Sequence, residues 1–145
     1  MNKFLIICIL LLNGSMVAQD WQFELKRAQE LAQEQNHPIL LVFSGSDWCA
    51  PCIRMEKKIW QSDAFKLYSS KHLVLLKADF PRKKANQLSE QQQVQNRLLA
   101  EQYNPQGYFP FVVLINQDGK QTSPIHYRKK DTPEIIINRI KALQI

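Results

Sequence analysis

The chain has 145 residues, which allows one domain and leaves no room for two. Apolar residues make up 45% and charged residues 22%, the balance of a folded globular protein and not of a disordered one. The four glycines (Gly14, Gly45, Gly107, Gly119) never fall at a phosphate-cradling spacing, which excludes a P-loop and a dinucleotide fingerprint, and a net charge of +6 spread along the chain without a motif argues against nucleic acid as a partner.

Lys3 is followed by an unbroken apolar run, Phe4 to Leu12, then by Asn13-Gly14-Ser15 and Met16-Val17-Ala18. This is the layout of a secretory signal peptide over residues 1–18, with the folded domain over 19–145. The run is too short to span a bilayer, which needs roughly 20 residues; an uncleaved N-terminal membrane anchor is the alternative. Cys8 lies inside the run, whereas a lipid-bearing cysteine would follow it. Cleavage leaves two of the three cysteines, Cys49 and Cys52, in an oxidising compartment, where paired thiols form bridges or do redox chemistry.

In chain order, 20–36 has helical periodicity, with Trp21, Leu25, Ala28 and Ala32 on one face and Asp20 as cap. Ile39 to Phe43 is a continuous apolar run of strand length, expected for a strand buried on both faces. After a turn at 44–48, a helix is expected from Ala50 to Trp60, turning Ile53, Ile59 and Trp60 inward. Ser62-Asp63 caps a further helical stretch, 64–69. Leu73 to Ala78 reads as a second strand and 80–89 as a basic turn. Glu90 to Tyr103 reads as a helix with a core stripe of Val94, Leu98 and Leu99; its glutamines at 91, 92, 93 and 95 read as a solvated face. Phe111 to Asn116 is a third strand, and Asn116-Gln117-Asp118-Gly119 a hairpin turn into a fourth at 125–128. Thr132 and Pro133 open a last helix lined by Ile136, Ile140 and Leu143. The order predicts an α/β domain: a mixed four-stranded sheet with helices on both faces.

The chemistry concentrates at Trp48-Cys49-Ala50-Pro51-Cys52, immediately after a buried strand and at the start of a helix. Unpaired backbone N–H groups and the helix dipole favour an anion there, so a thiolate at Cys49 is stabilised. A free thiol titrates near 8.5, and such settings bring it to roughly 3.5–7.5. Arg54, Lys57 and Lys58 add positive charge; Asp47 opposes it. The three-residue step from Cys49 to Cys52 brings both sulfurs to one helix end. Pro51 lies in the first turn, where its missing N–H costs little.

These residues resemble the thioredoxin family, in the order ILLVF, WCAPC and FPFVVLINQDGK. More narrowly, GSDWCAPCIRMEK, QSDAF and HLVLLKADFP look like small exported disulfide reductases and isomerases of the Dsb type in Gram-negative bacteria. The resemblance implies a thioredoxin fold and a periplasmic thiol–disulfide oxidoreductase, with Cys49 as nucleophile, Cys52 as resolving thiol and a Cys49–Cys52 disulfide in the oxidised state. It implies a substrate-binding rim of Trp48, Pro51, Phe109 and Pro110, with the Phe109–Pro110 bond cis. The implied partners are exported disulfide-containing proteins and a membrane or periplasmic electron donor, acting on a monomer without cofactor or metal. Thioredoxins carry a buried aspartate six residues before the first cysteine. Counting places Phe43 there, which leaves water or Glu56 to take the proton of Cys52.

Isomerase or oxidase activity on the same fold remains open, as does a non-catalytic binding module in which the cysteines only staple the chain. A zinc site lacks ligands, since His37, His72 and His126 show no ligand spacing. Trp21 and Trp60 read as core, and Arg82-Lys83-Lys84 and Arg128-Lys129-Lys130 as solvated surface.

Overall fold

A computed structural model describes residues 18–144. The expected signal peptide therefore lies outside the described residues, apart from Ala18. The elements are β1 (Trp21–Gln22), α1 (Leu25–Gln35), β2 (Ile39–Ser44), α2 (Ala50–Met55) continuing as a π-helical turn (Glu56–Trp60), α3 (Asp63–His72), β3 (Val74–Asp79), a 3-10 turn (Lys84–Asn86), α4 (Glu90–Tyr103), β4 (Phe111–Ile115) and α5 (Pro133–Leu143).

The four strands form one mixed sheet in the order β1-β3-β2-β4. β2 runs parallel to β3 and antiparallel to β4, and β1 runs parallel to β3 at the edge. β2 is central and buried on both faces: Leu40, Leu41 and Phe43 are fully enclosed. Leu40 and Val42 join Met55, Ile59, Trp60, Phe65, Ile136 and Ile140 on the face covered by α2, α3 and α5. Leu41 and Phe43 join Ala28, Leu31, Leu99 and Tyr103 on the face covered by α1 and α4. Strand alternation assigns neighbouring residues to opposite layers.

Several expectations are corrected. The first helix begins at Leu25, because Trp21 and Gln22 pair with Leu75 and Leu76 as β1. Asp20 does not cap it. Instead Gln95 Oε1 accepts from the Leu25 N–H at 3.0 Å, and the side-chain amides of Gln92 and Gln95 each donate to the Phe23 carbonyl at 2.6 Å. Gln92 and Gln95 therefore hold the entry to α1, while Gln91 stays exposed as a solvated position. On α4, Val94 and Leu98 are exposed and the buried positions are Asn96, Leu99 and Tyr103. Ile53 is also exposed, since the inward stripe of α2 is Cys52, Met55, Ile59 and Trp60.

The expected fourth strand at 125–128 does not form; β1 supplies the fourth strand. After the turn at Asn116–Gly119 the chain follows β4 through a single bridge, Ile115–Gln121, and bonds from Thr122 N to Leu114 O and Ile125 N to Val112 O. Pro124 has no N–H to give, and a ladder cannot continue through it.

α5 opens as expected, with the Thr132 hydroxyl accepting from Ile135 N and Pro133 in the first turn. Just before it, buried Asp131 accepts from both terminal nitrogens of Arg139 and from the Arg128 N–H at 2.7 Å. The Arg139 guanidinium holds the Asp131 carboxyl below its ordinary value of 3.8. A lowered carboxylate pKa stabilises the fold above the ordinary value, and that contribution is lost as pH falls through the lowered one. Asp131→Asn should therefore cost about 2 kcal/mol at neutral pH. In urea melts against pH, the difference from wild type should close in acid, below the ordinary carboxylate range.

Candidate active site

β2 ends at Ser44, and five residues later α2 begins with Cys49 as its N-cap. The Cys49 sulfur accepts from the Cys52 N–H at 3.3 Å, the capping bond that the first turn of a helix leaves available. Cys49 and Cys52 are joined as a disulfide with Cα atoms 5.2 Å apart. Both residues are 4% exposed, so the pair sits just beneath the surface. Pro51 follows in the first turn.

The loop before Cys49 is built around Trp48. Its indole N–H donates to the Phe80 carbonyl at 2.7 Å, its edge meets the Phe109 ring at 5.3 Å, and the Arg82 guanidinium lies 3.7 Å from its ring centroid. Gly45 gives the ring its place, since a Cβ there would lie 2.6 Å from the indole nitrogen. Phe109 also packs at a steep angle against Phe80, the residue whose carbonyl holds the Trp48 indole. The Phe109–Pro110 bond is cis, as expected.

The β3–α4 connection is fastened to this loop. Asp79 accepts from the Ser46 N–H at 2.9 Å and from its hydroxyl. Asp47 accepts from the N–H groups of Arg82 and Lys83, each at 2.9 Å, and from the Asn86 amide at 3.0 Å. The Arg82 N–H bond, followed by that of Asn86, lowers the Asp47 carboxyl from its ordinary value. The arms before Pro110 are braced by buried Asn104, whose side chain both donates to and accepts from the Tyr108 backbone, at 2.9 and 3.1 Å. Gly107 supplies the positive φ of that loop, at 69°. Asp79, Asn96 (which donates to the Asp79 carbonyl at 2.9 Å) and Asn104 were not read from the sequence as site supports. For Asp79 and Asn104 the one available signal is a short polar residue at a strand or helix end; Asn96, in the middle of α4, gives none.

The residue behind the cysteines also differs from the count. Phe43 points to the α1–α4 layer, where it packs against Phe80 and Phe111. The β2 side chains in the same layer as α2 are Leu40 and Val42, and Ser44 lines a cavity shared with Cys52, Glu56 and Lys77. Counting six residues back fails because alternation along β2, and not distance along the chain, decides which side chain faces the helix. The conclusion drawn from the count holds: the β2 position facing α2 carries no carboxylate. Glu56 lines that cavity and is ion-paired with Lys77 at 2.7 Å. Among the described residues no three His, Cys, Asp or Glu side chains converge as a metal site.

The model of the thioredoxin-like family matches residues 20–117. The chain belongs to the thioredoxin-like family. Over 94 residues it is 43% identical to the disulfide bond reductase DsbH of Chlamydia pneumoniae, a match taking in 65% of this chain and 55% of that protein. The chain thus spans about half the length of that relative. A solved DsbH oxidoreductase superposes with a TM-score of 0.78 at 32% identity, covering 92% of this chain and 91% of the other. The oxidised C-terminal domain of DsbD from Neisseria meningitidis superposes with a TM-score of 0.58 over 82% of this chain and 91% of that one; at 16% identity this is a likeness of fold. The protein is therefore a thioredoxin-fold homologue of DsbH that carries the Cys49–Cys52 pair.

The Asp47 clamp yields a pH-dependent expectation. The depressed carboxyl keeps the 82–86 loop docked above the ordinary carboxylate pKa, and docking is lost as pH falls through the lowered value. Asp47→Ala should release the loop at neutral pH. Amide exchange at Arg82 and Lys83 should quicken by at least roughly tenfold, and Trp48 emission should shift to the red.

Proposed function

We propose that this protein is a periplasmic thiol–disulfide oxidoreductase that reduces disulfides in exported proteins. The observation that carries the reading is the C-x-x-C pair capping α2, with Trp48, Pro51, Phe109 and Pro110 around it, in a chain 43% identical to a disulfide bond reductase. The apolar run at the N-terminus supports export through a cleaved signal peptide over 1–18, leaving the domain at 19–145. Among the described residues no helix is long and apolar enough to cross a membrane.

The reaction is thiol–disulfide exchange. The Cys49 thiolate, favoured at the N-terminus of α2, attacks one sulfur of the substrate disulfide and expels the other as a thiolate. A mixed disulfide results. Cys52 loses its proton and attacks the Cys49 sulfur, which releases the second substrate thiol and leaves the Cys49–Cys52 bridge. The substrate gains two electrons and the protein loses two, so a separate dithiol donor must reset it. Trp48 and Phe109 present the apolar rim on which the substrate backbone lies. Direction is set by the reduction potential, and the name of the relative favours reduction.

Insulin reduction by dithiothreitol tests the activity. Wild type should accelerate the turbidity and Cys49→Ser should abolish the acceleration; equal curves would leave a non-catalytic binding module. Cys52→Ser should trap mixed disulfides through Cys49. A redox titration against glutathione should give a potential near that of thioredoxin, and a value near the strong oxidants would reverse the direction.

Val42 generates a second expectation. A carboxylate at this position would be buried against the α2 layer, with its pKa raised by burial and available to accept the Cys52 proton. Val42→Asp should speed resolution of the mixed disulfide in stopped flow, while Val42→Asn, equally polar but without a base, should not. Phe43→Asp should give no gain, because that side chain faces the other layer.

A further inference from the structure

The first turns of α2 border an open depression whose floor is Ala50 and the exposed Ile53 and whose walls are Arg54, Lys57 and Lys58. It begins next to Cys49 and Pro51 in sequence. The cations here are unmatched: the ion pairs among the described residues use Arg27, Lys77 and Arg139 as their cations, and none of these three walls. The Arg54 Nε is buried and finds no acceptor among the described residues. Lys58 is steadied by donating to the Lys129 carbonyl at 3.1 Å, which brings the run Arg128-Lys129-Lys130 to the same flank. Carboxylates of the surrounding loops and helices are meanwhile engaged by partners within the chain. Glu56 is held by Lys77, Asp47 by three N–H donors, Asp79 by Ser46 and Asp131 by Arg139. What remains facing outward beside the cysteines is an apolar floor between positive charges.

We propose that this depression docks an acidic segment of the substrate protein, one with an apolar residue for Ile53 and carboxylates for Arg54, Lys57 and Lys58, placed within a few residues of the disulfide to be reduced. The inference rests on the oxidoreductase reading and names its substrate class. Charge complementarity selects the occupant. A basic segment would bring cation against cation and a neutral one would leave the charges of Lys57 and Lys58 unmatched, whereas an acidic one pairs with them and is drawn in along the field of a basic chain. The exposed Ile53, which lies off the inward stripe of α2, gains a covered position that the fold itself does not give it.

Three synthetic peptides test this. Each carries the same internal disulfide and the same neighbouring leucine, followed by two Glu, two Gln or two Lys. Pre-reduced full-length protein is mixed with each, and the second-order rate of peptide reduction is followed at low and high salt. The Glu peptide should react on the order of tenfold faster than the Lys peptide at low salt, with the ratio shrinking as salt screens the charges. Lys57→Glu with Lys58→Glu should invert that preference, read as the ratio of the Glu to the Lys peptide rate so that any common change in thiol reactivity cancels. Lys71→Glu with Lys120→Glu removes the same charge at the end of the sheet opposite the dithiol and should keep the Glu preference. Equal rates for Glu and Lys peptides, or equal effects of the two double variants, would overturn the docking site while leaving the chemistry intact. Failure of the wild type to reduce even the Gln peptide would overturn the oxidoreductase reading, and this inference with it.

Discussion

Burial of β2 on both faces governs the rest of this molecule. Four consecutive residues, Leu40 to Phe43, are excluded from water, so the strand must lie at the centre of the sheet with a helical layer on each side. Truncating a side chain such as Phe43 in such a place costs roughly 3–5 kcal/mol, enough to fix the register of the strand against its neighbours. Once that register is fixed, the chain leaves the sheet at Ser44, and the sulfur of Cys49 meets the open N–H groups of α2 at a defined edge. The cysteines are placed by the core behind them.

The loops around that edge are held by a different kind of interaction. Apart from the Phe80 ring, which packs on Phe43 and Phe109, the contacts that fasten the β3–α4 connection are polar. They are hydrogen bonds to Asp47 and Asp79, one indole N–H and one stacked guanidinium. Such contacts are individually modest and lie near solvent. The result is a rigid scaffold carrying a rim that is ordered by polar groups. Asn104 plays the same part on the opposite side of the rim by satisfying the Tyr108 backbone.

What the sequence made legible follows from where the information is local. The continuous run at Ile39–Phe43, the Ser62 and Thr132 caps and the C-x-x-C pair at a helix start are short-range signals, and each matches an element or its end in the structure. The same holds for α4, whose bounds agree with its periodicity. Two of the misses depend on partners distant in sequence. Trp21 and Gln22 follow a helical pattern yet pair with β3, which lies more than fifty residues away. Val94 and Leu98 look like core positions until α1 and the glutamines take the inner face. Distance along the chain puts Phe43 behind the cysteines, whereas pleating places it in the other layer. The strand expected at 125–128 is cut off by Pro124, which is itself a local signal.

The glutamine cap has a consequence for how the chain assembles. A helix of eleven residues without a side-chain cap of its own is a weak independent unit. The groups that complete its first turn, Gln92 and Gln95, arrive about seventy residues later. During synthesis the opening turn of α1 therefore stays frayed until α4 has emerged and packed, and the N-terminal segment is among the last parts of the domain to become fixed. The end of the domain that follows the expected export signal is thus closed by residues made late in the chain.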